Sequence, residues 1–204
     1  MIPARPLIAA LGLAVALCAA APVDAIARDD RIVSAVDAKA LPRKKQTRLG
    51  LYVSAAEAGQ LLEAHPDIML IDVRTRAEAM FVGMPEPAAK NIPFLDLGSY
   101  AYDPEKQTYK LDPNPAFAEE LASFLAQKGG DKSTTLILMC RSGTRSSEAA
   151  NELAKLGYAN VYSMVDGFEG DAGKDGLRGV NGWKNAGLPW TTKLERGRLY
   201  REPK

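Results

Sequence analysis

Histidine is nearly absent from this 204-residue chain: His65 stands alone, and cysteine occurs only twice, at Cys18 and Cys140. A Cys–His catalytic pair would therefore depend on His65. That residue precedes Pro66 with no motif around it and reads as a surface or helix-capping group. Neither a metal site nor a cofactor is expected. An excess of one charge is missing too, with 26 Lys and Arg against 25 Asp and Glu. Such a balance offers no basic field for nucleic acid and no acidic one, and points to a small ligand or a protein partner. Of long apolar runs there is one, Leu7–Ala21, too short for a comfortable membrane span.

That run, followed by small residues and an A-x-A site at Ala25-Ile26-Ala27, reads as a signal peptide over residues 1–27; an uncleaved anchor is the alternative. Leu17 precedes Cys18 where a lipoprotein signal wants a small residue, so Cys18 is expected to leave with the leader. Its removal takes one basic and one acidic residue, Arg5 and Asp24, and keeps the charge balance. The mature protein is expected to be exported, to a periplasm, and not to be membrane-bound. Cys140 is then its sole thiol. No intramolecular disulfide can form, and a lone thiol in an oxidising compartment needs a role.

What is present is a polar extension at 28–50, a domain at 51–190 and a short tail at 191–204. The extension contains "PRKKQTR" and reads as a solvated terminus, with a docking tail as the alternative. Leu51–Val53 is a short strand, and Ser54 with Glu57 has capping-box spacing for a helix through Leu62 that Pro66 stops. Ile68–Val73, "TTLILM" and "NVYSMV" are the near-continuous apolar runs of strands buried on both faces. Phe117, Leu121, Phe124 and Leu125 recur at helical spacing, and Ser146–Leu156 predicts another helix closed by Gly157. Strand and helix alternate, so the fold class is α/β: a mostly parallel central sheet with helices on both faces, in three layers.

Ligand sites in such sheets lie beyond the carboxyl ends of the strands. Cys140 directly follows the strand ending at Met139, and "CRSGTRS" links it to the next helix. Backbone N–H groups of a short glycine-containing loop can converge there, and the helix N-terminus adds its positive field. Arg141 and Arg145 add guanidinium groups, in surroundings that favour a thiolate. Ser142, Gly143, Thr144 and Ser146 offer backbone and hydroxyl donors, though each also suits an ordinary turn or cap.

"CRSGTRS" after a parallel strand, "LIDVR" followed by Glu78, and "NIP" at Asn91–Pro93 together resemble a single-domain rhodanese, a sulfurtransferase, over roughly Val53–Pro189. The resemblance implies that Cys140 takes a sulfane sulfur from an anionic donor such as thiosulfate. It would hold that sulfur as a persulfide and pass it to an acceptor such as cyanide or the thiol of a partner protein. Residues 141–146 would cradle the sulfur. Asp72 and Arg74 can be read as catalytic, but strand-end polar groups must be satisfied, and Asp72 accepting from loops while Arg74 pairs with a carboxylate such as Glu78 is the preferred reading. A sulfur-carrier or sensor module is the alternative function. A cysteine phosphatase or arsenate reductase resembles a loop with five residues between Cys and Arg, whereas here there are four.

Two departures stand out. Met84 occupies the place of a histidine common in the family, and glycine recurs at every third position from Gly167 to Gly182. Six triplets without proline make a loop and not a collagen helix. Phe168–Gly182 is read as a cover over the site bearing Lys174 and Arg178, or as an inert excursion, with Trp183 and "GLPW" anchoring its far end. Tyr100, Tyr102 and Tyr109, in the segment before the Phe117 helix, are expected to pack that segment onto the domain, with a ligand or partner surface as the alternative.

Overall fold

The computed structural model describes residues 32–200. The leader assigned to residues 1–27, its cleavage point and Cys18 lie outside the described residues. Five strands, β1 (Tyr52–Val53), β2 (Met69–Asp72), β3 (Ala88–Asn91), β4 (Leu136–Met139) and β5 (Val161–Met164), make an all-parallel sheet in the order β1-β5-β4-β2-β3. Four helices, α1 (Ala55–Ala64), α2 (Arg76–Val82), α3 (Phe117–Gln127) and α4 (Thr144–Lys155), complete the α/β architecture.

Apolar runs are needed because both faces of the sheet are covered. Ile71, Leu136, Leu138 and Val161 meet Phe117, Leu121 and Leu125 of α3 and Leu153 of α4 on one side. Leu70, Ile137, Met139 and Met164 meet Ala55 and Ala58 of α1, with Phe168 and Trp183, on the other. The α1 capping box closes in both directions between Ser54 and Glu57, and His65 ends the helix with its N–H on the Leu61 carbonyl.

Three local readings change. Helix α4 starts at Thr144, two residues before the expected Ser146, because Gly143 takes φ +96° and turns the chain into the helix at once. The polar N-terminal stretch is docked. Lys45 is buried, and its ammonium bonds both Asp171 carboxylate oxygens (2.8 and 3.0 Å) and the Val165 carbonyl (2.9 Å), while Ser147 Oγ donates to the Lys44 carbonyl. Composition marks this run as solvated; three acceptors brought together by the fold bury it. Lys45→Met is expected to cost about 2 kcal/mol and to speed hydrogen exchange in 168–182, measured by thermal unfolding and exchange mass spectrometry.

The tyrosine-bearing segment forms two small antiparallel ribbons, Leu95–Asp96 with Asp112–Pro113 and Tyr102–Asp103 with Thr108–Tyr109. Its tyrosines do not pack onto the domain as expected: all three residues are more than half exposed, and Tyr100 meets Tyr109 edge-on across the ribbon. Met84 follows a defined path, buried in a two-residue ribbon with Trp190–Thr191.

Candidate active site

β4 delivers Cys140 to the carboxyl edge of the sheet, and the chain enters α4 four residues later, at Thr144. Two glycines make this turn possible. A Cβ on Gly143 would lie 2.2 Å from the Val165 carbonyl oxygen, and one on Gly167, at φ +64°, would lie 2.4 Å from the Cys140 carbonyl oxygen. The turn is braced by the start of the glycine-rich segment: Phe168 N–H donates to the Cys140 carbonyl (2.8 Å) and Glu169 N–H to that of Arg141 (3.0 Å).

Cys140 is 2% exposed, and its Sγ accepts from the Gly143 N–H at 3.1 Å. Behind it, Ser146 Oγ lies 3.6 Å from Sγ, accepts from Ser163 Oγ (3.0 Å) and donates to the Gly143 carbonyl (3.0 Å). The first-turn N–H groups of α4, at Thr144, Arg145 and Ser146, have no carbonyl one turn earlier in the helix, so the positive end of α4 faces the sulfur. This arrangement stabilises negative charge on Sγ or on an atom attached to it.

Arg145 is held by Glu78 in a two-point pair, Nη1 to Oε2 at 2.6 Å and Nη2 to Oε1 at 2.5 Å. Glu78 also closes a capping box with Thr75 at the start of α2. Burial works to raise the Glu78 carboxyl, but the Arg145 hydrogen bonds and charge, the Thr75 N–H and the Arg74 charge outweigh it and bring it to about 2. Burial likewise works to lower Arg145, and Glu78, then Cys140 and Asp72, raise it above its ordinary value.

The expected pairing of Arg74 with Glu78 is corrected. Arg74 turns back on Asp72, with Nη2–Oδ2 at 2.6 Å and both side chains fully buried, and also bonds the Gly83 carbonyl. Among the described residues the Asp72 carboxylate accordingly accepts from Arg74 itself and not from a neighbouring loop. Asp72 lies two residues back at the strand end, whereas Glu78 lies four residues on, inside α2, and is already committed to Thr75 and Arg145. Arg74 also stacks 4.0 Å from the centre of the Phe168 ring, and Asn91 Nδ2 donates to the Asp72 and Arg74 carbonyls. This buried knot positions the exit of β2.

A cleft of about 580 Å³ opens over the sulfur. Cys140, Arg141, Ser142, Thr144 and Arg145 line it, Gly143 contributes its N–H, and Ser146 supports from behind. Asp72 and Arg74 do not line it, and Glu78 acts through Arg145. Lys44, Tyr109 and Lys110 also line the cleft; a ligand surface is the alternative reading for Tyr109 and Lys44 falls in the basic run, whereas no motif points to Lys110. Arg178 lines it as well, whereas Lys174 faces a separate surface hollow with Asp175 and Leu177. The glycine-rich segment is tied and not loosely hinged: Asn185 Nδ2 bonds the Glu169 and Asn181 carbonyls, and Asp171 N–H bonds Asn181 Oδ1.

Residues 54–174 match the profile of the rhodanese-like domain, more than half of the chain. The chain belongs to the rhodanese-like family. It is 34% identical over 139 residues to an uncharacterized protein of Rickettsia prowazekii, covering 68% of this chain and 94% of the relative. Thiosulfate sulfurtransferase 16, chloroplastic, of Arabidopsis thaliana is 30% identical over 133 residues, or 65% of this chain and 95% of that protein. The crystal structure of Rv0390 from M. tuberculosis superposes with a TM-score of 0.51 at 30% identity, over 69% of this chain and 96% of that one. Lys44 and Arg178 of this rhodanese-like protein fall outside the matched residues.

The Glu78 carboxyl, depressed from its usual 4.5 to about 2, gives a signed prediction. Its contribution of about 3 kcal/mol is present above pH 4.5 and lost as pH falls towards 2. Glu78→Gln should lose about that much at neutral pH and flatten acid unfolding in that window. Arg145→Lys keeps the charge but not the two-point geometry and should lower turnover about tenfold. Wild-type kinetics for Arg145→Lys would show that charge alone suffices.

Proposed function

We propose that this rhodanese-like protein moves sulfane sulfur through a persulfide on Cys140, with thiosulfate or a similar anion as donor and a thiophilic acceptor. The observation that carries this reading is the placement of Sγ, 3.1 Å from the Gly143 N–H at the N-terminal end of α4, beneath a cleft walled by cations. The Cys140 thiolate attacks the outer sulfur of thiosulfate. The sulfur–sulfur bond of the donor breaks, and sulfite leaves with the electron pair. No proton moves, so no base is required, in keeping with a site that has no histidine. The terminal sulfur of the persulfide carries the negative charge, and the Gly143 N–H and the amides at the start of α4 stabilise it. An acceptor thiolate or cyanide then takes that sulfur and returns the Cys140 thiolate.

Arg145, locked to Glu78, supplies field and rigidity to the cradle. Its planar fork is spent on that carboxylate, which disfavours the phosphatase reading, where the arginine must grip a tetrahedral oxyanion. The leader-like residues 1–27 put the reaction in an exported, periplasmic setting in this proposal. Mass spectrometry of the purified protein after thiosulfate tests it: one added sulfur on the Cys140 peptide, with steady thiocyanate production from cyanide, is expected. Loading without turnover would confine the protein to a carrier role, and no loading would overturn the reading.

A further inference from the structure

The cleft is larger than thiosulfate needs, and its charges are unevenly matched. Among the cations that line it, Arg145 is taken by Glu78 and Lys106 lies 3.5 Å from Asp103. Lys44, Lys110, Arg141 and Arg178 have no carboxylate partner among the described residues, and Glu148 is the one lining carboxylate without a cation. Arg141 belongs to the sulfur cradle. The other three come from three separate segments: Lys44 from the docked N-terminal stretch, Lys110 from the tyrosine-bearing ribbons, and Arg178 from the glycine-rich segment.

The backbone is anchored at Lys44 and Lys110, whose side chains are exposed, and Arg178 is held through its guanidinium. The buried Lys45 clamp and the Ser147–Lys44 bond fix the backbone beside Lys44. Lys110 N–H bonds the Ala101 carbonyl, and Arg178 Nη1 bonds the Gly170 carbonyl. Like charges converge at a cost unless something anionic is to be bound between them.

We infer that Lys44, Lys110 and Arg178 form a second anion subsite, which selects a small organic persulfide whose carboxylates lie away from the transferred sulfur. This rests on the persulfide reading of Cys140. The Cys140 thiolate attacks the terminal sulfur of the R–S–SH donor and leaves as Cys140–S–SH, while R–S⁻ departs with the electron pair, so no oxidant or reductant is consumed. A small donor fits better than a protein segment because Cys140 is 2% exposed at the floor of the cleft. The volume of about 580 Å³ also lies in the range of small-molecule sites.

The test compares two donors of one carbon skeleton, the persulfide of 2-sulfanylsuccinate and that of its diamide, with thiosulfate as reference, by the rate of Cys140 persulfide formation. The dicarboxylate should react about tenfold faster than the diamide at low salt, with the advantage shrinking near 0.5 M salt. In the Lys44→Gln/Lys110→Gln double variant that ratio should fall to about one, and Lys44→Arg should keep it. A ratio near one in the wild type, or an unchanged ratio in the double variant, would overturn the subsite while thiosulfate loading still upheld the persulfide. Failure of all three donors would remove both. An acidic peptide persulfide that reacted faster than the dicarboxylate would reassign the surface to a protein and overturn the small-donor inference.

Discussion

Cys140→Ser is expected to reduce sulfur transfer below detection while leaving the protein folded. A serine hydroxyl fits the buried space, accepts the Gly143 N–H now received by Sγ and can donate to Ser146 Oγ, so the change in stability should be about 1 kcal/mol or less. Oxygen cannot form the persulfide, and no neighbouring side chain can replace the nucleophile: the other groups lining the cleft include no thiol. Thiocyanate production and the mass of the thiosulfate-treated variant check this, with thermal unfolding as the control for folding. Residual turnover at the wild-type rate would show that the reaction bypasses Cys140.

Gly143→Ala should do comparable damage by a different route. Its added methyl would meet the Val165 carbonyl oxygen at 2.2 Å and carbon at 2.8 Å, both backbone atoms that cannot swing aside, at a φ of +96°. Left-handed strain and overpacking together should cost about 4 kcal/mol. Relief can come only by moving the turn, which takes the N–H away from Sγ and the start of α4 away from the sulfur. Turnover is expected to fall about 100-fold, in the range for loss of a backbone donor to developing charge. Gly176→Ala is the control. That glycine also has positive φ, +80°, but nothing lies within 4 Å of its Cβ position. It should show only the strain cost of about 1–2 kcal/mol with near-normal turnover. Equal behaviour of the two variants would show that close packing at Gly143 does not matter.

Local patterns in the sequence determined the alternation of strands and helices, the burial of the sheet on both faces, the α1 capping box and the place of Cys140 at a strand's carboxyl end. Apolar periodicity, caps and breakers act over a few residues, and a window of a few residues contains them. The Thr75–Glu78 capping box at α2 has the same spacing as Ser54–Glu57, but it was recognised only in the structure. Tertiary structure alone decided the rest. Glu78 meets Arg145 across 67 residues and Lys45 meets Asp171 across 126, because β2 and β4 are adjacent in the sheet and the N-terminal stretch lies along α4. Composition marked Lys45 as solvated and Tyr109 as packing material; the chain topology buried the one in a cluster of acceptors and left the other on the wall of the cleft. Where a charged side chain finds its partner depends on which segments the sheet order brings together, and that order is a property of the whole chain.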